Sequence, residues 1–258
     1  MAAAVNGLSL SKLRAFGATF FIFSDYARPA IRLSALMELP TIFVFTHDAM
    51  GDGEDGPTHQ PVEQLASFRA EPGLVVLRPA DANEVVEAYR YIMQLRHQPA
   101  ALALSRQPLP TLDRSKYAAA SGLARGAYVL ADPPDGKPEV ILIASGSEVS
   151  LCVNAHEELL ADGIRSRVVS MPSWDIFEHQ PQAYQDSVLP PEVTARVAVE
   201  QASTFGWERY VSRKSGRIIG MDTFGASAPL KELQQKFGFE PDCITEAAKE
   251  LLGRSKKA

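Results

Sequence analysis

The sequence is short of cysteine, of long apolar runs and of net charge. Cys152 and Cys243 are the only cysteines among 258 residues, and they lie far apart. That excludes a disulfide framework and a zinc ribbon, which need several closely spaced cysteines, and it suits a reducing cytoplasm. Apolar stretches such as 41–45 and 140–144 fall well short of the roughly 20 residues that a membrane-spanning helix needs. The opening MAAAVNGLSLSKLR has no basic start followed by an apolar core, so it does not read as a secretory signal. The net charge of −5 gives a nucleic-acid backbone or an anionic membrane little to attract, so neither is expected as a partner. Repeats are absent, and the only ragged tract is the terminal GRSKKA.

What is present is a 46% hydrophobic chain, enough for a large core in one or two domains. Short apolar runs at 41–46, 74–77, 101–104, 139–144, 167–170 and 195–200 read as buried strands. Helical patterns lie between them. One opens at Gln60-Pro61 with Val62, Leu65, Ala66 and Phe68 on a face. A second starts at Asp81, with Glu84 three residues on and a stripe of Val85, Ala88, Tyr89, Ile92 and Met93. A third is capped by Ser147, carries Val149, Val153, His156, Leu159 and Leu160, and ends at Gly163. Further helices are expected at 228–237 and 243–252. Strand–helix alternation implies an α/β fold of two consecutive domains, each a mostly parallel sheet flanked by helices. Periodicity fails between 107 and 126, where prolines, small residues and scattered charge suggest a linker.

Three places carry candidate chemistry. The densest is the loop 46–60, THDAMGDGEDGPTHQ, directly after a buried strand. Ligand sites in α/β sheets lie beyond the carboxyl ends of strands. His47, Asp48, Asp52, Glu54, Asp55 and His59 supply imidazoles and carboxylates for proton transfer and polyol recognition, although composition alone equally allows a solvated acidic turn. The second is the run of Phe20, Phe23 and Tyr26, spaced so that a helical turn puts them on one face. That pattern is core, or else an aromatic wall for a planar heterocycle. The third is Arg106 at the end of an apolar strand, placed either to clamp a phosphate or to form a surface ion pair. The GDG at 51–53, with Asn83 some 30 residues on, imitates a metal-and-diphosphate motif. Helix capping accounts for Asn83 and the loop continues acidic, so no metal site is expected in this chain.

Taken together, FGATFFIFSDYARPAIRLSALM, FTHDAMGDGEDGPTHQPVEQLASFRA, RPADANEV and ALSRQ resemble the pyrimidine-binding domain of transketolases. IASGSEVSLCVNA, VVSMPSWDIF, SVLP and FGASAP resemble their C-terminal domain. The resemblance spans essentially the whole chain and divides it into 1–115, an N-terminally trimmed pyrimidine-binding domain, and 116–258, the C-terminal domain. It implies transfer of a two-carbon ketol unit between sugar phosphates with thiamine diphosphate. Phe23 would stack on the aminopyrimidine, with Phe20 and Tyr26 completing the pocket. His59 and Asp55 would act at the reacting end of the sugar, and His47 and Arg106 would hold its phosphate. Asp52 stands where the family usually has a neutral residue between the two glycines.

The resemblance also places Met1-Ala-Ala-Ala-Val-Asn-Gly7 just after the family's cofactor-activating glutamate. The implied Mg2+ or Ca2+ and the diphosphate would be bound through a preceding domain, not by this chain. The expectation is therefore a cytoplasmic chain that associates with itself or pairs with a chain carrying the diphosphate-binding domain, and has little activity alone. Two alternatives are a non-catalytic interaction module and another thiamine diphosphate enzyme, such as a deoxyxylulose-phosphate synthase. His97, His156 and His179 receive no role: His156 reads as a satisfied histidine on a helix face, and the other two as exposed.

Overall fold

A computed structural model describes residues 1–212 and 214–254. The first half runs α1 (Ala2–Leu10), β1 (Phe16–Phe20), α2 (Ser24–Leu36), β2 (Ile42–Thr46), α3 (Gln64–Arg69), β3 (Val75–Leu77), α4 (Ala82–Gln94) and β4 (Ala100–Ala103). Its strands form a parallel sheet in the order β1-β2-β4-β3. The second half runs β5 (Tyr128–Ala131), β6 (Val140–Ala144), α5 (Glu148–Ala161), β7 (Ser166–Ser170), α6 (Trp174–Glu178), α7 (Gln182–Val188), β8 (Arg196–Ser203), β9 (Gly216–Met221), α8 (Leu230–Phe237) and α9 (Pro241–Leu251). Its sheet order is β5-β7-β6-β8-β9, parallel except for the antiparallel edge strand β5. The architecture is thus two α/β units with mostly parallel sheets, and the central strands are buried on both faces, as their unbroken apolar sequences require. No helix among the described residues is long and apolar enough to cross a membrane.

Several local expectations need correction. The helix expected from Gln60 begins at Gln64, because the Gln60 side chain is committed elsewhere and the Gln64 amide oxygen accepts from the Val62 N–H at 3.1 Å. In α4, Ala88 and Ile92 face the core, but Tyr89 and Met93 point outward. Asp81 does cap α4, accepting from the Glu84 N–H at 2.9 Å. Asn83, read as explained by capping, does lie in the first turn of α4, but Asp81 is the cap, and the Asn83 amide donates to the Leu112 carbonyl at 3.4 Å. Ser147 precedes α5 without capping it; its hydroxyl donates to Glu148. The segment 107–126 is a strap rather than a free linker. Arg114 grips both Asp81 oxygens at 2.8 and 2.9 Å, the Leu112 N–H joins them at 3.0 Å, and a short 3-10 turn follows at Ala120–Arg125.

The two units are joined by buried polar contacts. Arg78, 1% exposed, follows β3 and donates to Asp48 Oδ2 at 2.7 Å, to the Ser145 carbonyl at 2.8 Å and to Glu148. Arg69, at the end of α3, makes a two-point contact with Glu200 at 2.6 and 2.8 Å and lies over the Trp174 ring at 3.9 Å. Trp207 Nε1 and the Ser145 hydroxyl also donate to Glu200. Burial alone would push Glu200 upward, but Arg69 and Arg78 hold it down to about 2. Glu84 accepts from Tyr128 and Ser170 across the boundary, and from the Ala80 N–H of its own unit.

Candidate active site

β1, β2 and β4 are neighbours running the same way, with Phe20 paired to Thr46 and Phe45 to Ala103. Their carboxyl ends therefore deliver Phe20, His47 and the segment through Arg106 side by side, in the crevice where such sheets bind ligands. Phe20 ends β1, Phe23 closes a 3-10 turn at Phe21–Phe23, and Tyr26 lies in the first turn of α2. One helical turn, as expected from the spacing, does not hold all three. They nevertheless line up in space: Phe20 and Phe23 are stacked at 6.0 Å between ring centroids, and Phe23 and Tyr26 lie at 6.3 Å. Tyr26 is 85% exposed, so its ring has an open face. A cleft of about 460 Å³ beside these rings is lined by Met1, Ala18, Thr19, Phe23, Tyr26 and Ala27 among others.

His47 takes a left-handed backbone conformation with φ of 61° directly after β2, a costly choice for a residue with a Cβ. That turn lays its ring against Phe20, with centroids 3.6 Å apart. Its Nδ1 meets the Thr46 hydroxyl at 2.9 Å and its Nε2 lies 3.6 Å from Asp52 Oδ1. Burial, reinforced by the Arg106 charge, holds this imidazole below its ordinary range. Asp52 is 3% exposed and neither carboxylate oxygen has a hydrogen-bond partner. Burial, with the neighbouring Asp55 charge adding to it, pushes Asp52 up to about 6. His59 presents its ring edge to Phe23 at 5.8 Å, with Nδ1 on the Thr58 hydroxyl at 3.0 Å. Asp52, His47, Phe20, Phe23 and His59 thus form one continuous wall. Asp55 and Arg106 are exposed at its margin and act on His47 through their charges, without direct contact.

The loop between these residues is tied down from the far domain, which the sequence did not reveal. Gln60 Nε2 donates to the Gly53 carbonyl at 2.9 Å and to the Ala226 carbonyl at 3.0 Å. The Ser227 hydroxyl donates to the Glu54 carbonyl. Gly53 has a φ of 60°, and a Cβ there would stand 3.4 Å from the Ala228 carbonyl, so glycine answers both the turn and the close approach. FGASAP, which offered no chemistry in the sequence, is thus the buttress of the loop; its run of small residues before a proline is the signal that permits such contact. Asp48, next to His47, is gripped by Arg78. An arginine directly after an apolar strand, in RPADAN, was the available hint.

His156 is buried, with Nδ1 on the Ser166 hydroxyl at 2.7 Å, while His97 and His179 are exposed at the surface. No group of three or more His, Cys, Asp or Glu among the described residues could hold a metal ion.

Comparison with known proteins gives a consistent result. The family model for the transketolase pyrimidine-binding domain matches residues 1–111, and that for the transketolase-like C-terminal domain matches 126–240. The chain is 56% identical over 253 residues to the transketolase of Halalkalibacterium halodurans, covering 98% of this chain and 38% of that protein. The solved transketolase of Leishmania mexicana superposes with a TM-score of 0.91 at 41% identity, covering 99% of this chain and 37% of the other. A Pichia stipitis transketolase solved in complex with sedoheptulose 7-phosphate gives 0.90 at 42% identity, covering 98% and 36%. The chain therefore spans well under half the length of the relatives it matches.

Proposed function

The chain belongs to the transketolase family, and on that premise we propose that it supplies the pyrimidine-binding and sugar-channel part of a thiamine diphosphate-dependent ketol transferase. The observation that carries this reading is the continuous wall from Asp52 through His47, Phe20 and Phe23 to His59 at the carboxyl ends of β1 and β2. The division between its two units falls after residue 115.

The residues fit the pyrimidine half of the cofactor. Phe23 and Tyr26 offer open ring faces to an apolar cleft, and offset stacking favours a planar heterocycle there. The cleft lining carries no lysine or arginine, so the diphosphate and its Mg2+ or Ca2+ are held by groups from another domain. When bound, thiamine diphosphate supplies the electron sink for cleaving a ketose beside its carbonyl. The work of this chain is positioning and proton handling. Phe23, Phe20 and Tyr26 orient the pyrimidine. His59, edge-on to Phe23, serves the reacting end of the sugar as proton donor and acceptor, and Asp55 accepts from a sugar hydroxyl. His47 and Arg106 receive the far end of a sugar phosphate.

Exposed apolar side chains along α1, β1 and α2 and in the connection from α1 to β1, including Leu10, Leu13, Phe16, Tyr26 and Leu36, support an apposed second subunit or a chain carrying the diphosphate-binding domain. The setting is cytoplasmic. The test mixes the pure chain with cofactor, Mg2+, xylulose 5-phosphate and ribose 5-phosphate, with and without a diphosphate-binding domain supplied as a separate chain. Turnover on mixing and none from the chain alone is expected. Tight association with no turnover would instead identify a non-catalytic module, and turnover by the chain alone would refute the division of labour.

A further inference from the structure

Asp52 is the one member of the wall that the proposed roles leave without work, and it is the most unusual. It is 3% exposed, yet both carboxylate oxygens lack a hydrogen-bond partner. Among the described residues, its ion-pair contact is His47 Nε2 at 3.6 Å. The other ring nitrogen faces Thr46, and one ring face is covered by Phe20. The nitrogen with which His47 would meet a ligand is thus directed at a buried acid.

We propose that Asp52 is a specificity-determining residue that weakens phosphate binding at the far end of the sugar channel and so shifts its preference toward an uncharged, hydroxyl-bearing end. This rests on the reading of His47 and Arg106 as the far-end contacts. A sugar hydroxyl accepts from an imidazole and carries no charge for the buried Asp52 carboxylate to repel, so it suits the Asp52–His47 pair. A phosphate dianion has no proton to donate and is repelled by the carboxylate. Arg106 opposes that repulsion from the exposed margin, while Asp55 and Asp48 add to it and His59 contributes charge only when protonated. Since burial raises Asp52 to about 6, it is ionised at pH 7.5 and largely neutral at pH 5.

The test uses sulfate, a dianion whose charge is constant across this range, as the probe. Binding to the intact chain is read from the His47 ring resonances by NMR, assigned with His47→Gln. Asp52→Asn is expected to bind sulfate about tenfold more tightly than the parent at pH 7.5, with the gap closing toward pH 5. Asp52→Leu repeats the comparison with a different side-chain shape. Equal affinity of parent and variants at pH 7.5, with the His47 ring responding in each, overturns the proposal and leaves the far-end reading intact. A folded chain whose His47 ring ignores sulfate in every variant and at every pH removes the far-end reading, and the proposal with it.

Discussion

Asp52 also makes a prediction about stability that needs no ligand. Its carboxyl moves from the ordinary aspartate value of 3.8 in the unfolded chain to about 6 in the fold. The folded state therefore holds its proton to higher pH than the unfolded state, and stability falls as pH rises from below 3.8 through about 6. At about 1.4 kcal/mol for each factor of ten, that interval corresponds to about 3 kcal/mol lost by pH 7.5. At pH 5 the folded carboxyl is mostly protonated and the unfolded one mostly ionised, which leaves about 1.6 kcal/mol of the cost in place. Asp52→Asn keeps the shape and removes the charge. It should stabilise the protein at both pH values, and its gain over the parent should grow by about 1.4 kcal/mol between pH 5 and pH 7.5. Urea denaturation followed by tryptophan fluorescence reads this directly, because Trp174 and Trp207 sit edge to face at 4.8 Å in the junction between the units. Titrating groups remote from Asp52 cancel in the difference. A gain that does not change with pH, or that shrinks as pH rises, would refute the assignment of a buried, ionised and unsupported carboxylate.

Three further outcomes follow from the geometry. Arg78→Met removes the cation that serves Asp48, Ser145 and Glu148, and should lower stability by about 3–5 kcal/mol in the same denaturation experiment, since it strands buried carboxylates. Gln60→Ala breaks two bonds to backbone carbonyls and should cost about 1–3 kcal/mol, with hydrogen exchange in the 46–60 loop rising more than in β6 or β8. In the mixed system described above, Phe23→Ala should weaken cofactor binding about tenfold or more, read as the concentration of thiamine diphosphate needed for half-maximal turnover, with the fold unchanged by circular dichroism.

The sequence made the central strands legible because both faces are covered and the apolar runs are unbroken: β2, β4, β6 and β7 lie within a residue or so of their expected limits. It hid β1 and β9, where FGATF and GRIIGM are interrupted by glycine, and α2, where Pro29 stands inside the helix. The site residues were recognisable by type and clustering, and the structure gathers Phe20, Phe23, Tyr26, His47 and His59. Their mutual placement was not readable, because it depends on a left-handed turn at His47 and on strands adjacent only in the folded sheet. The polar junction was invisible for a different reason. Arg69 and Glu200 are 131 positions apart, and no local periodicity links them.

That junction explains why the second unit matters to a wall it does not line. A loop that reverses at His47, Gly53 and Gly56 is not kept in one conformation by apolar contact alone, since hydrophobic attraction has no direction. Hydrogen bonds do have direction, and the loop carries them at both ends. Arg78 anchors Asp48 at its start and is itself held by Ser145 and Glu148 of the second unit. Gln60 and Ser227 fix the carbonyls of Gly53 and Glu54 near its middle against FGASAP. Asp52, between these anchors, is held buried beside His47 although neither oxygen is satisfied. A loop free to relax would carry that carboxylate to water, and both sets of anchors oppose that relaxation. The second unit therefore helps to keep from solvent the carboxylate that we propose sets ligand choice.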